Sequence, residues 1–129
     1  MGEIVKKVDM KAVRKELTTL NEQRTGYIFQ LVHGKPMIHG HAREVFRKCG
    51  KKNCRCADGL LHGPYQALSI NKGGGQRVVM VKKDGAKDVL KRSKRFRHFR
   101  QTVARIRKIN REIDGLLEKI KDLTIVEYE

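Results

Sequence analysis

The chain contains no tryptophan, and phenylalanine and tyrosine together make up only 5% of its 129 residues. Rings this scarce argue against a single-strand binder built on a row of stacked bases. They also leave the core to Val, Ile and Leu. No apolar run approaches the eighteen or so residues of a membrane span, and no secretory apolar region follows Met1. Three cysteines, an odd number without such a leader, argue against a disulfide framework. The expectation is a cytoplasmic protein with no membrane partner. Acidic groups are scarce too, 14 against 30 lysines and arginines, for a net charge of +16. At this length a single domain, 1–129, with a modest core is expected. Self-repulsion of that size points to a polyanionic partner.

The positive charge is uneven. Residues 1–25 are net +2, residues 26–85 net +8, residues 91–111 net +10, and residues 112–129 net −4. It is concentrated in two places, a cysteine-bearing stretch and one later run.

The first place is Cys49 to Tyr65, CGKKNCRCADGLLHGPY, which holds all three cysteines and one of the two prolines. Cys49, Cys54, Cys56 and His62 supply thiolates and an imidazole, the ligand types of a tetrahedral structural zinc ion. The spacing C-x4-C-x-C-x5-H is not a common finger spacing. Gly50, Asn53, Gly59 and Gly63 permit the sharp turns it requires. The plain alternative is a group of thiols without metal. His39 and His41 form an H-x-H pair that strand alternation puts on one face. They read as half-exposed polar residues, with metal ligation in reserve.

Arg47, Cys49, Gly50, Lys51, Cys54, Cys56, His62, Gly63, Pro64 and Tyr65 resemble the signature of an uncharacterised family of short bacterial and archaeal proteins. It runs roughly R-x-C-G-K-P-x-C-x-C, then H-G-P-Y, a β-hairpin and a long basic helix. The resemblance covers about residues 38–118. Lys52 stands where the family has proline, and Gln66-Ala67 where aromatics often follow the tyrosine. Some members are encoded beside transposase genes, so the resemblance implies a link to mobile-element DNA and no particular activity.

In chain order, Asp9 is a candidate N-cap. Met10, Val13, Leu17 and Leu20 form one helical stripe. Gly26 is expected to close that helix, giving an N-terminal segment 1–25. Residues 26–84 read as a β-rich core. Tyr27 to Val32 alternate like a strand, Gly34-Lys35-Pro36 is a turn, and Met37 to Lys48 holds a second strand leading into the metal loop. Tyr65–Asn71 and Arg77–Lys83, joined by a glycine-rich turn, form a hairpin. The triple glycine opens no helix and lacks a following Lys-Ser or Lys-Thr, which rejects a P-loop.

Residues 85–123 are one long helix without proline, followed by an acidic tail, 124–129. The tail reads as a strand that could pair with residues 3–8 or with a neighbouring subunit. Phe96, Phe99, Val103, Ile106, Asn110, Ile113, Leu117 and Ile120 recur at steps of three and four, a coiled-coil seam suited to a homodimer. Ile109, Leu116 and Leu123 broaden it on one side. The other reading packs this helix within the chain and leaves Asn110 near solvent. The fold class expected is α+β: an N-terminal helix, a small antiparallel sheet with a Cys3His metal loop, and a long basic C-terminal helix.

The same helix carries the second concentration of charge: Lys91, Arg92, Lys94, Arg95, Arg97, Arg100, Arg105, Arg107, Lys108 and Arg111, with no acid between 91 and 111. Solvated faces usually mix signs. Seven arginines suit bidentate phosphate contact. Lys51, Lys52 and Arg55 add cations to the metal loop.

A zinc deaminase needs H-x-E and P-C-x-x-C, and neither occurs. A metal-dependent nuclease needs clustered carboxylates, but residues 26–85 offer only Glu44, Asp58 and Asp84. The reading is a non-enzymatic, zinc-stabilised binder of duplex DNA or structured RNA, with no small-molecule substrate. Ribosome association fits the same charge. A coiled-coil adaptor for a partner such as a transposase is the second reading. Cysteine- or metal-dependent chemistry through Cys54 and Cys56, beside the loop cations, is the third.

Overall fold

The computed structural model describes residues 2–48, 50, 51, 53, 54 and 59–128. The element order is α1 (Gly2–Val32), β1 (His41–Arg47), β2 (His62–Lys72), β3 (Gly75–Met80) and α2 (Ala86–Thr124). This is an α+β fold: an N-terminal helix, a three-stranded antiparallel sheet and a long C-terminal helix. The chain divides into two compact units, Met1–Gly34 with Arg100–Glu129, and Lys35–Phe99. Among the described residues no helix is long and apolar enough to cross a membrane.

The first unit is a helix pair. Along α1, Met10, Val13, Leu17, Leu20, Arg24, Tyr27 and Leu31 are buried or half-buried, and every other residue from 10 to 31 is exposed. Those seven recur at steps of three and four, the spacing that keeps one face of a helix against a partner. The facing stripe on α2 is Thr102, Ile106, Ile109, Ile113, Leu116, Ile120 and Leu123, again at steps of four and three. Val13, Leu20, Ile109 and Leu116 form the buried centre, with Leu17, Tyr27, Ile113, Ile120 and Leu123 packed around it. The helices run antiparallel, since Arg24 meets Asn110 and the Arg105 guanidinium lies 5.9 Å from the centre of the Tyr27 ring.

Several expectations are corrected here. The first helix does not close at Gly26, and Tyr27–Val32 are helical and not a strand. Tyr27 and Leu31 continue the apolar stripe, so packing against α2 outweighs their β propensity and the cost of a mid-helix glycine. The β-rich core expected from residue 26 therefore begins in the unit that starts at Lys35. The real stop is at Gly34, whose N–H donates to the Leu31 carbonyl, with Pro36 two residues on. Residues 3–8 lie in α1, and 125–128 have no strand structure, so the expected pairing of the two ends does not form.

The seam is shifted as well. Ile106, Ile113 and Ile120 belong to both the expected and the covered stripe. Their partners are Ile109, Leu116 and Leu123, while Asn110 and Leu117 are exposed and Val103 is half-buried. Asn110 accepts a hydrogen bond from Arg24 Nη1 at 3.1 Å. Both features match the intramolecular packing. Phe96 and Phe99 belong to the other unit and take no part in this stripe.

In the second unit the sheet order is β1-β2-β3. The β2–β3 turn is Gly73-Gly74 between the Lys72–Gly75 pair, with φ of +61° and +83°. Two positive φ values are what a two-residue turn of the I′ kind requires, and glycine takes them without strain. The segment before β1 is strapped to the start of α2. Ile38 N–H donates to the Arg92 carbonyl at 3.1 Å, Arg95 Nη1 donates to the Pro36 carbonyl at 3.0 Å, and His39 meets Phe96 edge-on at 4.7 Å. Ser93 closes the strap: its hydroxyl donates to the Gly40 carbonyl (2.9 Å) and accepts from the Ala42 N–H (3.1 Å). His39 thus sits outside β1 and His41 is exposed at its start, so the expected H-x-H strand face does not form.

Candidate metal pair, sheet cavity and basic helix

Two of the four expected metal ligands are described, and they touch. Cys54 Sγ lies 2.8 Å from His62 Nε2, both side chains half-buried. Cys49 and Cys56 lie outside the described residues, as do Lys52 and Arg55. Among the described residues, no group of three or more His, Cys, Asp and Glu side chains is placed to hold a metal ion. The expected Cys3His loop is therefore not shown by the described residues, which give only the Cys54–His62 contact. Bond lengths of about 2.3 Å to sulfur and 2.0 Å to nitrogen place two tetrahedral zinc ligands roughly 3.5 Å apart. The observed pair is a direct sulfur–nitrogen contact. The ring would have to draw back by a fraction of an ångström to admit an ion.

His62 owes its position to an irregularity in the sheet. β1 and β2 pair in register from His41–Ser69 to Val45–Tyr65, and then again at Arg47–His62. Between those last two pairs, Phe46 on β1 faces Gly63 and Pro64 on β2, one residue against two. That is a β-bulge, and it suits Pro64, which has no N–H to give to the ladder. Gly63 has a φ of +145°, and a Cβ on it would come within 2.8 Å of the Phe46 ring and 3.0 Å of the Val45 carbonyl. Both conditions call for glycine.

The bulge has a consequence for side-chain direction. In an unbroken strand, residues three apart point to opposite faces. With the extra residue, His62 and Tyr65 line the same cavity, together with Arg47, Lys48 and Met80. Its volume is about 330 Å³. Tyr65 pairs with Val45, and Met80 registers with the fully buried Ala67 on the same face of β2. The motif residues Arg47, His62 and Tyr65 were visible in the sequence. Their convergence, and the part of Met80, were not, because the register shift that joins them is nonlocal.

The expected phosphate contacts fall into two groups by unit. In the second unit, Lys51, Lys91, Lys94 and Arg97 are exposed. Arg92 is half-buried and pairs with Asp88 at 2.9 Å, one turn earlier. Arg95 is half-buried and donates to the Pro36 carbonyl, which gives it a structural role. In the first unit, Arg100, Arg105, Arg107, Lys108 and Arg111 are all exposed. Arg100, Arg107 and Arg111 lie on the helix face opposite Thr102, Ile109 and Leu116, as steps of seven and four dictate. Asp88 is the acid of the first turn of α2, where it suits the positive end of the helix dipole.

The chain belongs to a protein family described as a domain of unknown function (DUF6788), whose model matches residues 14–91. The match covers most of α1, the sheet with its loop, and α2 as far as Lys91. It begins earlier and ends earlier than the extent of 38–118 expected from the motif. Most of the basic run therefore lies beyond the matched residues. No curated protein and no solved structure matches the chain.

Proposed function

We propose that the protein binds the phosphate backbone of duplex DNA or structured RNA through the basic run of α2, and that the Cys49–His62 loop is held by a structural zinc ion. The observation that carries the reading is the single-sign, exposed run: Lys91, Lys94, Arg97, Arg100, Arg105, Arg107, Lys108 and Arg111 are all on the surface, and no carboxylate occurs between residues 91 and 111. Such a helix repels itself in water and is relieved by polyanion contact. The zinc reading is supported by the contact between Cys54 and His62, which brings a thiol and an imidazole eight residues apart to one point. Cys49 and Cys56 would complete the set. The zinc would supply folding free energy to the loop and no chemistry.

The test is salt dependence. With roughly six phosphate contacts, log K against log salt on duplex DNA has a slope near −5. Replacing Arg97, Arg107 and Arg111 by Gln flattens it by about two to three units, since each charge releases about 0.9 of a counterion. Arg95 is left intact because of its bond to Pro36. Binding that ignores salt, or no binding at low salt, defeats the proposal.

A second reading, an adaptor that binds a protein such as a transposase, is favoured by one observation. Ile28, Phe29 and Val32 are exposed together on the last two turns of α1. It takes first place if nucleic acid does not bind.

A further inference from the structure

We infer that the cavity lined by Arg47, Lys48, His62, Tyr65 and Met80 is a binding site for one nucleotide unit, an aromatic base carrying a phosphate. The inference rests on the proposed nucleic-acid function for the source of that nucleotide, and on the cavity alone for its chemistry.

The lining has two parts. Tyr65 and Met80 provide an apolar wall, one a ring and the other a polarizable thioether, and both accept an aromatic face. Tyr65 stands on β2, the central strand, yet remains 43% exposed. Its backbone is laddered to Val45 of β1, two residues before β2 begins to pair with β3 at Ala67; a ring held there and left uncovered suits a stacking partner. Arg47 and Lys48 provide two exposed cations at the end of β1, and among the described residues no carboxylate lines the cavity. Arginine offers a planar fork and lysine a point charge, the usual pair of devices for a phosphate.

An aromatic body with an attached phosphate is therefore the complementary ligand. At about 330 Å³ the cavity sits at the small end of the roughly 300–1,000 Å³ typical of ligand pockets. That admits one base with its phosphate and no paired base step. A nucleotide in such a pocket must be unstacked, as at a single-stranded end, a flap or a bulge. The bulge at Gly63-Pro64 is what turns His62 toward the same cavity as Tyr65.

The experiment titrates the 129-residue chain with dAMP, deoxyadenosine and inorganic phosphate, following the backbone amides of β1 and β2 by NMR, a readout that survives replacement of the ring. The expected result is that dAMP binds at least tenfold more tightly than either fragment. Tyr65→Leu should weaken dAMP by about tenfold, the usual scale of one base stack. Replacing Arg47 and Lys48 together by Gln should bring dAMP down to the level of deoxyadenosine. Binding of dAMP no tighter than phosphate overturns the inference. So does binding unchanged in Tyr65→Leu protein with a native spectrum. A phosphotyrosine peptide that binds more tightly than dAMP assigns the cavity to a protein partner and overturns it equally. Failure is separable from failure of the α2 reading. Steep, salt-dependent binding of blunt duplex without dAMP binding removes only the cavity site, and dAMP binding without duplex binding removes only the helix.

Discussion

Gly63 meets two conditions at once, a φ of +145° and the Phe46 ring where a Cβ would go. Gly63→Ala should cost about 1–3 kcal/mol, the scale of a residue forced into such a backbone region. A variant that melts with the wild type would mean that the bulge relaxes freely. Ser93 presents the opposite case, a buried polar group with both roles filled, at 5% exposure. Ser93→Ala leaves the Ala42 N–H and the Gly40 carbonyl without their partner, and about 1–3 kcal/mol should be lost. Thr102 is buried more deeply still, at 1% exposure, yet its hydroxyl has no partner among the described residues. Removing an unsatisfied hydroxyl while keeping the branched shape should help. Thr102→Val is expected to raise stability by about 1 kcal/mol in a thermal or urea melt. A loss instead would reveal a hydrogen bond that matters at that position.

α1 and α2 each carry an interior glycine, Gly26 and Gly115, and a Cβ at either would meet nothing within 4 Å. Gly26→Ala and Gly115→Ala should each stabilise by roughly 0.5–1 kcal/mol and should add when combined, because neither has a steric reason to exist. Loss of stability in Gly26→Ala would show that α1 needs to bend there. Asn110 discriminates between the two packings of α2. It is exposed and bonded to Arg24, so Asn110→Leu should change stability by no more than about 0.5 kcal/mol. A marked gain, with light scattering showing a changed oligomer, would place Asn110 in an interface between chains. The hairpin and the limits of α2 were legible in the sequence because glycine turns and the absence of proline are local signals. The extent of α1 was not, since Gly26 and the β-formers Tyr27, Ile28 and Val32 send the wrong local message. Only the continued three-four spacing of Leu20, Arg24, Tyr27 and Leu31 carries the right one. The seam of α2 was half legible for a related reason. Two stripes share Ile106, Ile113 and Ile120, and the chain alone does not say which neighbours α1 will cover. The sequence placed Cys54 and His62 in one stretch, but the placement of His62 was not legible, because a bulge depends on the pairing of two strands far apart in sequence.

At the scale of the whole molecule, the charge of +16 sets two opposite responses to salt. Within the chain, like charges repel, and the compact state gathers them. Screening should therefore stabilise the fold as the Debye length falls from about 10 Å at 0.1 M to about 3 Å at 1 M. Ion pairs that salt would weaken, such as Arg92–Asp88 and Lys121–Glu118, are surface pairs one turn apart, and such pairs contribute little. A gain on the order of 1 kcal/mol is expected over that range, or roughly 3–6 °C in Tm for a chain of this size. Binding to duplex should move the other way and far more steeply. A slope near −5 means a fall of about five orders of magnitude across the same tenfold change in salt. The two measurements share a protein and a buffer series, so a general effect of salt on folding is separated from its effect on the interface. Rising Tm with collapsing affinity is the expected pattern. A Tm that falls with salt would show that attraction, and not repulsion, dominates the charges of the folded chain. The run from Lys91 to Arg111 would then have its counter-charges within the protein, with no polyanion needed to relieve it.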